Sequence, residues 1–178
     1  MNSANFDSGE APLNDFSNCH AGILNKLSVL NELPGLADAA AKARAGAQEV
    51  LNFFESVMFE HHEEEERELF PSVLAAASGE ERVRASEMAQ ALTREHRELE
   101  ALWKKIQPAL KHLAKGQNAD VPVEALSELV ERYGAHARGE ESEYLPLAHA
   151  ILSRESGSMD ALALALHIRH RPPVVGYV

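Results

Sequence analysis

Two stretches of this chain carry the same residues at the same spacing. Residues 60 to 71, EHHEEEERELFP, laid over residues 135 to 146, AHARGEESEYLP, match without a gap at His61/His136, Glu65/Glu140, Glu66/Glu141, Glu68/Glu143 and Pro71/Pro146. Residues four apart lie one turn above each other on one helical face, so each copy can aim an imidazole and a carboxylate at a single point. The alignment also bears on register. His62 and Glu66 repeat the spacing of His61 and Glu65, but His62 falls opposite Ala137, which favours His61 and leaves His62 with Glu66 as the alternative.

The remaining apolar pattern is helical throughout. Ala85, Ala89, Leu92, His96, Leu99, Trp103, Ile106, Leu110 and Leu113 follow steps of three and four, the seam of a bundle helix opening near Glu80. Before it, Phe16, His20, Ile23, Leu27 and Leu30 share a face of a first helix that starts at Asn14 or Asp15 and ends at Pro34-Gly35. LADAAAKARAGAQ reads as a connection or helical overhang. It leads into a second helix with Val50, Phe54, Val57, His61, Glu65 and Leu69 on its inner face, kinked or ended by Pro71. A fourth helix starts at Pro122 and turns Leu126, Leu129, Tyr133, His136, Glu140 and Leu147 inward.

These segments predict an all-α protein, an antiparallel up-down-up-down four-helix bundle over 14–152. Residues 1–13 precede it as a flexible N-terminus, and 153–178 follow as a short fifth helix near 159–169 and a tail. Sparse β-branched residues and 6% aromatic content agree with helix. Heights can be compared along the rods. His61 stands 18 residues before Gly79 and His96 stands 17 after it, so at about 1.5 Å per residue the two rings return to one level. His20 and His61 lie 14 and 27 residues from Pro34, a poor match for a hairpin turning there.

The first and third helices echo each other through CHAGILNKL and EHRELEALW, which pair His20 with His96. One seam histidine is usually a hydrogen-bonded core residue. Four of them, His20, His61, His96 and His136, with Glu65 and Glu140 and no seam Lys or Arg, would bury two carboxylates at a cost of several kcal/mol unless a cation joins them. The predicted occupant is a metal pair, with the carboxylates bridging and two imidazoles on each ion. That nitrogen and oxygen donor set suits iron, accepts manganese, and fits zinc less distinctively. Positions left open on each ion would admit water or a small diatomic molecule. Glu63, Glu64 and Glu68 read as a solvated face, and Tyr133, one turn before His136, as core or as a donor to a bound ligand. Glu100 reads as a rim residue, with a third carboxylate ligand as the alternative.

A net charge of −11 argues against nucleic acid and anionic lipid as partners. Cys19 is the only cysteine, which suits a reducing compartment. The N-terminus lacks a basic start and an apolar run, and no stretch is long enough to span a bilayer, so a cytoplasmic protein is expected.

NCHAGIL, HHEEEERELFP, TREHRELEALW and AHARGEESEYLP together resemble the hemerythrin-like (HHE cation-binding) family over about residues 15 to 152. The resemblance implies a non-haem di-iron centre, two iron ions held by His20, His61, Glu65, His96, His136 and Glu140, binding dioxygen or nitric oxide or sensing iron or redox state. Glu100 stands where the oxygen-carrying branch looks for a further histidine. Four histidines are more like the branch linked to repair of iron centres, without the extra N-terminal domain many of those proteins carry. Turnover of nitric oxide, peroxide or dioxygen is the enzymatic alternative, and a metal-free helical interaction module a third. A homodimer is compatible with the sequence, which names no protein partner.

Overall fold

Pro34 and Gly35 do not end the first helix. In the computed structural model, which describes residues 10–154 and Gly157, with side chains from Phe16 onward, α1 runs unbroken from Glu10–Phe53. The expected start at Asn14 or Asp15 and the expected turn at Pro34 are both replaced. Proline costs a helix interior about 3 kcal/mol, mainly one lost hydrogen bond and a clash one turn back. Here the flanking side chains are exposed, so water can reach the freed carbonyl, and the Ala-rich LADAAAKARAGAQ favours helix on the far side. The anticipated connection is therefore regular helix.

The chain divides into two compact units, Met1–Ala45 and Gly46–Val178. In the first, every described side chain from Phe16 to Arg44 is exposed, including the apolar stripe Phe16, Ile23, Leu27 and Leu30. The second unit is a bundle of three helical rods. The first rod takes the end of α1 from Gly46, a π turn at Phe54–Met58, α2 (Phe59–Glu64), a π turn at Glu65–Leu69, and α3 (Phe70–Ala76). The second is α4 (Gly79–Ala114). The third joins α5 (Val123–Gly139), a π turn at Glu140–Tyr144, and α6 (Leu145–Leu152). Helix and turn are the only regular structure among the described residues, so the chain is all-α. None of the described helices is long and apolar enough to cross a membrane. The expected fifth helix and the tail lie outside the described residues.

Glycine makes both reversals between rods. Gly79 takes φ +56° just after Ser78, and Gly116 takes φ +71° beyond α4, where its amide and that of Gln117 donate to the carbonyls of Leu113 and His112. Side chains with a β-carbon rarely adopt these angles. The rods consequently run up, down and up.

Two apolar clusters fill the bundle. One packs Phe70, Val73, Ala85, Ala89, Leu92, Tyr144, Ala148 and Ile151 near the Gly79 turn. The other packs Leu51, Met58, Leu99, Trp103, Ile106, Leu110 and Leu129, with Phe54 stacked on Trp103 at 4.7 Å. The seam predicted for α4 is buried from Ala85 to Leu110, with Leu102 added. The first rod differs from expectation. It buries Ala47, Leu51, Met58 and His62, while Val50, Val57 and His61 are exposed, a face turned by about one residue from the one predicted. Both faces carry apolar residues at helical spacing, and which one packs is settled by the neighbouring rods. Pro71 does not stop this rod either, since helix continues to Ala76. The wider π turn directly before Pro71, and before Pro146, eases the clash a proline ring makes with the preceding turn.

Candidate metal centre

Between the two apolar clusters lies a polar layer. His62, Glu65, His96, His136 and Glu140 are each no more than 6% exposed. The levels predicted from residue counts meet here. His62 and His96 stack in parallel with centroids 3.9 Å apart, and His96 and His136 meet edge to face at 4.9 Å. Both glutamates stand at the first residue of a π turn, so the duplicated motif is duplicated in backbone form as well. π turns of this kind recur at functional sites in helices.

Two groups of side chains bring ligand atoms within 4.8 Å of one another: His62, His96 and His136, and His61, Glu65 and Glu140. The groups adjoin. Nε2 of His96 lies 3.3 Å from Glu65 Oε2 and 4.0 Å from Glu140 Oε1, and Nε2 of His136 lies 3.6 Å from Glu140 Oε2. His61 Nε2 lies 3.4 Å from Glu65 Oε1, with its side chain 46% exposed. Of the six predicted ligands, five gather at this layer. His20 is exposed on α1 in the first unit and belongs to neither group.

Sequence reasoning preferred His61 and kept His62 as the alternative, because the repeat partner of His62 is Ala137. The structure buries it at the heart of the layer, and the available signal was the competing stripe of Leu51, Met58 and His62. Glu64, read as solvated, is 4% exposed and is corrected to a buried residue. Glu63 is exposed and paired with Arg67 at 2.5 Å, as a solvated face requires.

The outer edge of each buried ring meets a carboxylate. Nδ1 of His96 donates to Glu66 at 2.8 Å, Nδ1 of His136 to Glu95 at 2.9 Å, and Nδ1 of His62 to Glu100 at 3.3 Å. An ionised carboxylate can only accept, so each Nδ1 carries the proton and leaves Nε2 as a lone pair. Nε2 of His62 accepts a long bond from Tyr133 O–H at 3.4 Å. Nε2 of His96 and of His136, Glu65 Oε2 and Glu140 Oε1 are buried with no hydrogen-bond partner. Four acceptor atoms thus face one another across a few ångströms. Glu100, held by His62 and Arg97, sits at the rim.

Protonation relieves part of this crowding. Burial and then the charge of Glu65 push the Glu140 carboxyl up to about 8. Burial draws His96 down, but the neighbouring carboxylates of Glu65, Glu66 and Glu140 outweigh that and raise it overall. Burial, followed by repulsion from His96, pulls His62 down to about 3. Burial raises Tyr133 to about 12 and raises Tyr144, with Glu65 and Glu140 adding to both. A cation among these donors would replace such protons.

Imidazole nitrogen and carboxylate oxygen converging between helices, with carboxylates behind the rings, define a helical-bundle cation-binding protein of the non-thiolate type. Comparison with known families agrees. The hemerythrin HHE cation-binding domain matches residues 11–148, most of the chain, and the chain belongs to that family. No curated protein and no solved structure matches it.

Proposed function

We propose that the protein holds two iron ions in the family's four-helix bundle and binds dioxygen or nitric oxide there, for protection, sensing or iron handling in the cytoplasm. The observation that carries this reading is the set of orphaned acceptors, Glu65 Oε2, His96 Nε2, His136 Nε2 and Glu140 Oε1, buried within reach of one another. Left uncompensated, so much lone-pair density in an apolar bundle would cost several kcal/mol, and metal ions offset it.

Glu65 and Glu140 would bridge, and His61, His96 and His136 would serve as terminal ligands. His20 is proposed as a further ligand because its segment repeats that of His96 and falls inside the family match. The donor set fits iron and admits manganese or zinc. When bound, the ions would supply redox chemistry and open coordination positions. The chain's own residues do the rest. Glu66 and Glu95 hold the ring protons on the outer nitrogens, the two apolar clusters exclude water above and below, and Tyr144 O–H, buried without an acceptor, is available as a donor beside both glutamates. Four histidines, with Glu100 in place of a fifth, favour the branch associated with repair of iron centres over reversible oxygen carriage.

A cleft of about 330 Å³ reaches His136 and Tyr144 between the second and third rods, lined by Met88, Leu92, Glu95 and Arg132 among others, and would give small molecules a route inward. That route also favours the second reading, an enzyme consuming those molecules. Anaerobic loading with ferrous iron, metal analysis, and optical spectra before and after air or nitric oxide test the leading reading. The expected result is about two irons per chain with new bands on gas addition. Less than one metal per chain in well-loaded protein would overturn it. Stopped-flow consumption of gas or peroxide in excess of iron would establish turnover.

A further inference from the structure

Arg97 projects from α4 with its side chain 56% exposed, outside the polar layer, yet it touches two residues that border that layer. One guanidinium nitrogen pairs with Glu66 Oε2 and another donates to Glu100 Oε1 at 2.9 Å. Both carboxylates are mostly covered, 18% and 13% exposed. Each spends an oxygen on a ring: Glu66 Oε1 on Nδ1 of His96, Glu100 Oε1 on Nδ1 of His62. Those two rings are the parallel pair, 3.9 Å apart and 4° from coplanar orientation. One cation therefore links two carboxylates on two rods, and through them two stacked imidazoles.

The geometry points to Arg97 as a positioning residue. It holds Glu66 and Glu100 in place as acceptors, and so keeps the protons of His96 and His62 on Nδ1 and their Nε2 lone pairs turned into the layer. The planar fork of donors explains why arginine stands here. Two of its nitrogens address two carboxylates at once with their directions fixed, whereas an ammonium offers a single point charge on a flexible stem. Partners behind a ligating imidazole set its tautomer and ring orientation, and losing one typically weakens metal binding 10- to 100-fold. His136 provides an internal control, because its ring is held by Glu95, which has no arginine or lysine partner among the described residues.

The use to which the fixed tautomers are put rests on the metal-binding reading, but the tautomers can be measured without metal. Full-length protein labelled with ¹⁵N-histidine would be compared, metal-free and at alkaline pH, for wild type, Arg97→Gln, Arg97→Lys and Arg67→Gln. The last removes an exposed pair with Glu63 that does not touch the layer. Wild type should show Nδ1–H tautomers at His62, His96 and His136. Arg97→Gln should mix tautomers at His62 and His96 and spare His136, Arg97→Lys should restore them in part, and Arg67→Gln should match wild type. Ferrous iron titrations should follow, with about tenfold weaker binding in Arg97→Gln. Unchanged tautomers in Arg97→Gln, or equal disturbance of all three rings, would overturn the inference. Wild type that takes up no iron while the tautomer shift persists would instead remove the metal reading and leave the positioning role standing.

Discussion

The two copies of the His-x-x-x-Glu motif share a backbone and differ in what they bury. Each glutamate opens a π turn, and each proline follows on the next stretch of helix, at Glu65–Leu69 with Pro71 and at Glu140–Tyr144 with Pro146. In the third rod the motif histidine, His136, is 2% exposed at its side chain. In the first rod the equivalent His61 is 46% exposed, and its neighbour His62, at 1%, takes the buried place. Local chemistry thus reproduces the turn in both copies. It does not decide which side chain of two adjacent histidines faces the interior.

The widest test of equivalence removes the charge of each glutamate. Glu65→Gln and Glu140→Gln should each weaken ferrous iron binding by more than about 100-fold, read by titration, since each would lose a carboxylate expected to serve both ions. A large loss in one variant and none in the other would break the pairing of the two copies.

Alanine at each adjacent histidine sharpens the contrast. His61→Ala should lower iron affinity roughly 10- to 100-fold with little change in melting temperature, because its ring is half exposed. His62→Ala should cost about 2 kcal/mol of stability, as it removes a buried ring stacked on His96 and bonded to Glu100 and Tyr133. Loss of iron in His62→Ala with none in His61→Ala would make His62 the ligand and overturn the register taken from the repeat.

The smallest effect is on pH dependence in metal-free protein. Glu140 titrates near 8 in the fold against 4.5 in the unfolded chain, so the folded state holds an extra proton between those values. Its contribution is intact below about 4.5 and is lost as pH rises toward 8. Denaturant melts of wild type and Glu140→Gln should therefore diverge with rising pH, the variant gaining on the order of 1 kcal/mol by pH 8. That is well below the full shift, because the nearby His96 takes up part of the response. Parallel profiles would show that Glu140 is not under the strain assigned to it.

Much of the layer was legible because helical spacing is local. The seam of α4, the common height of His96 with the first rod, and the placing of Glu65, His136 and Glu140 all follow from a rise and a turn per residue. Pro34 misled, since a proline signals a helix end only where its lost hydrogen bond cannot be made good, and an exposed rod can make it good with water. Glu64 misled for a related reason. A run of acids gives no local sign of which member will be covered.

By itself the amino-acid order determined that the chain is all helix, that it belongs to the hemerythrin HHE family, and that two matched His and Glu pairs lie at helical spacing, because these depend on contacts within a turn or two. Only the tertiary arrangement decided that His62 rather than His61 is enclosed, that Glu66, Glu95 and Glu100 stand behind the rings, and that Arg97 ties two of them together. Apart from the Arg97–Glu100 pair within α4, these contacts join residues 30 or more positions apart. They arise when rods settle against one another and each chooses, among several apolar faces, the one its neighbours can fill.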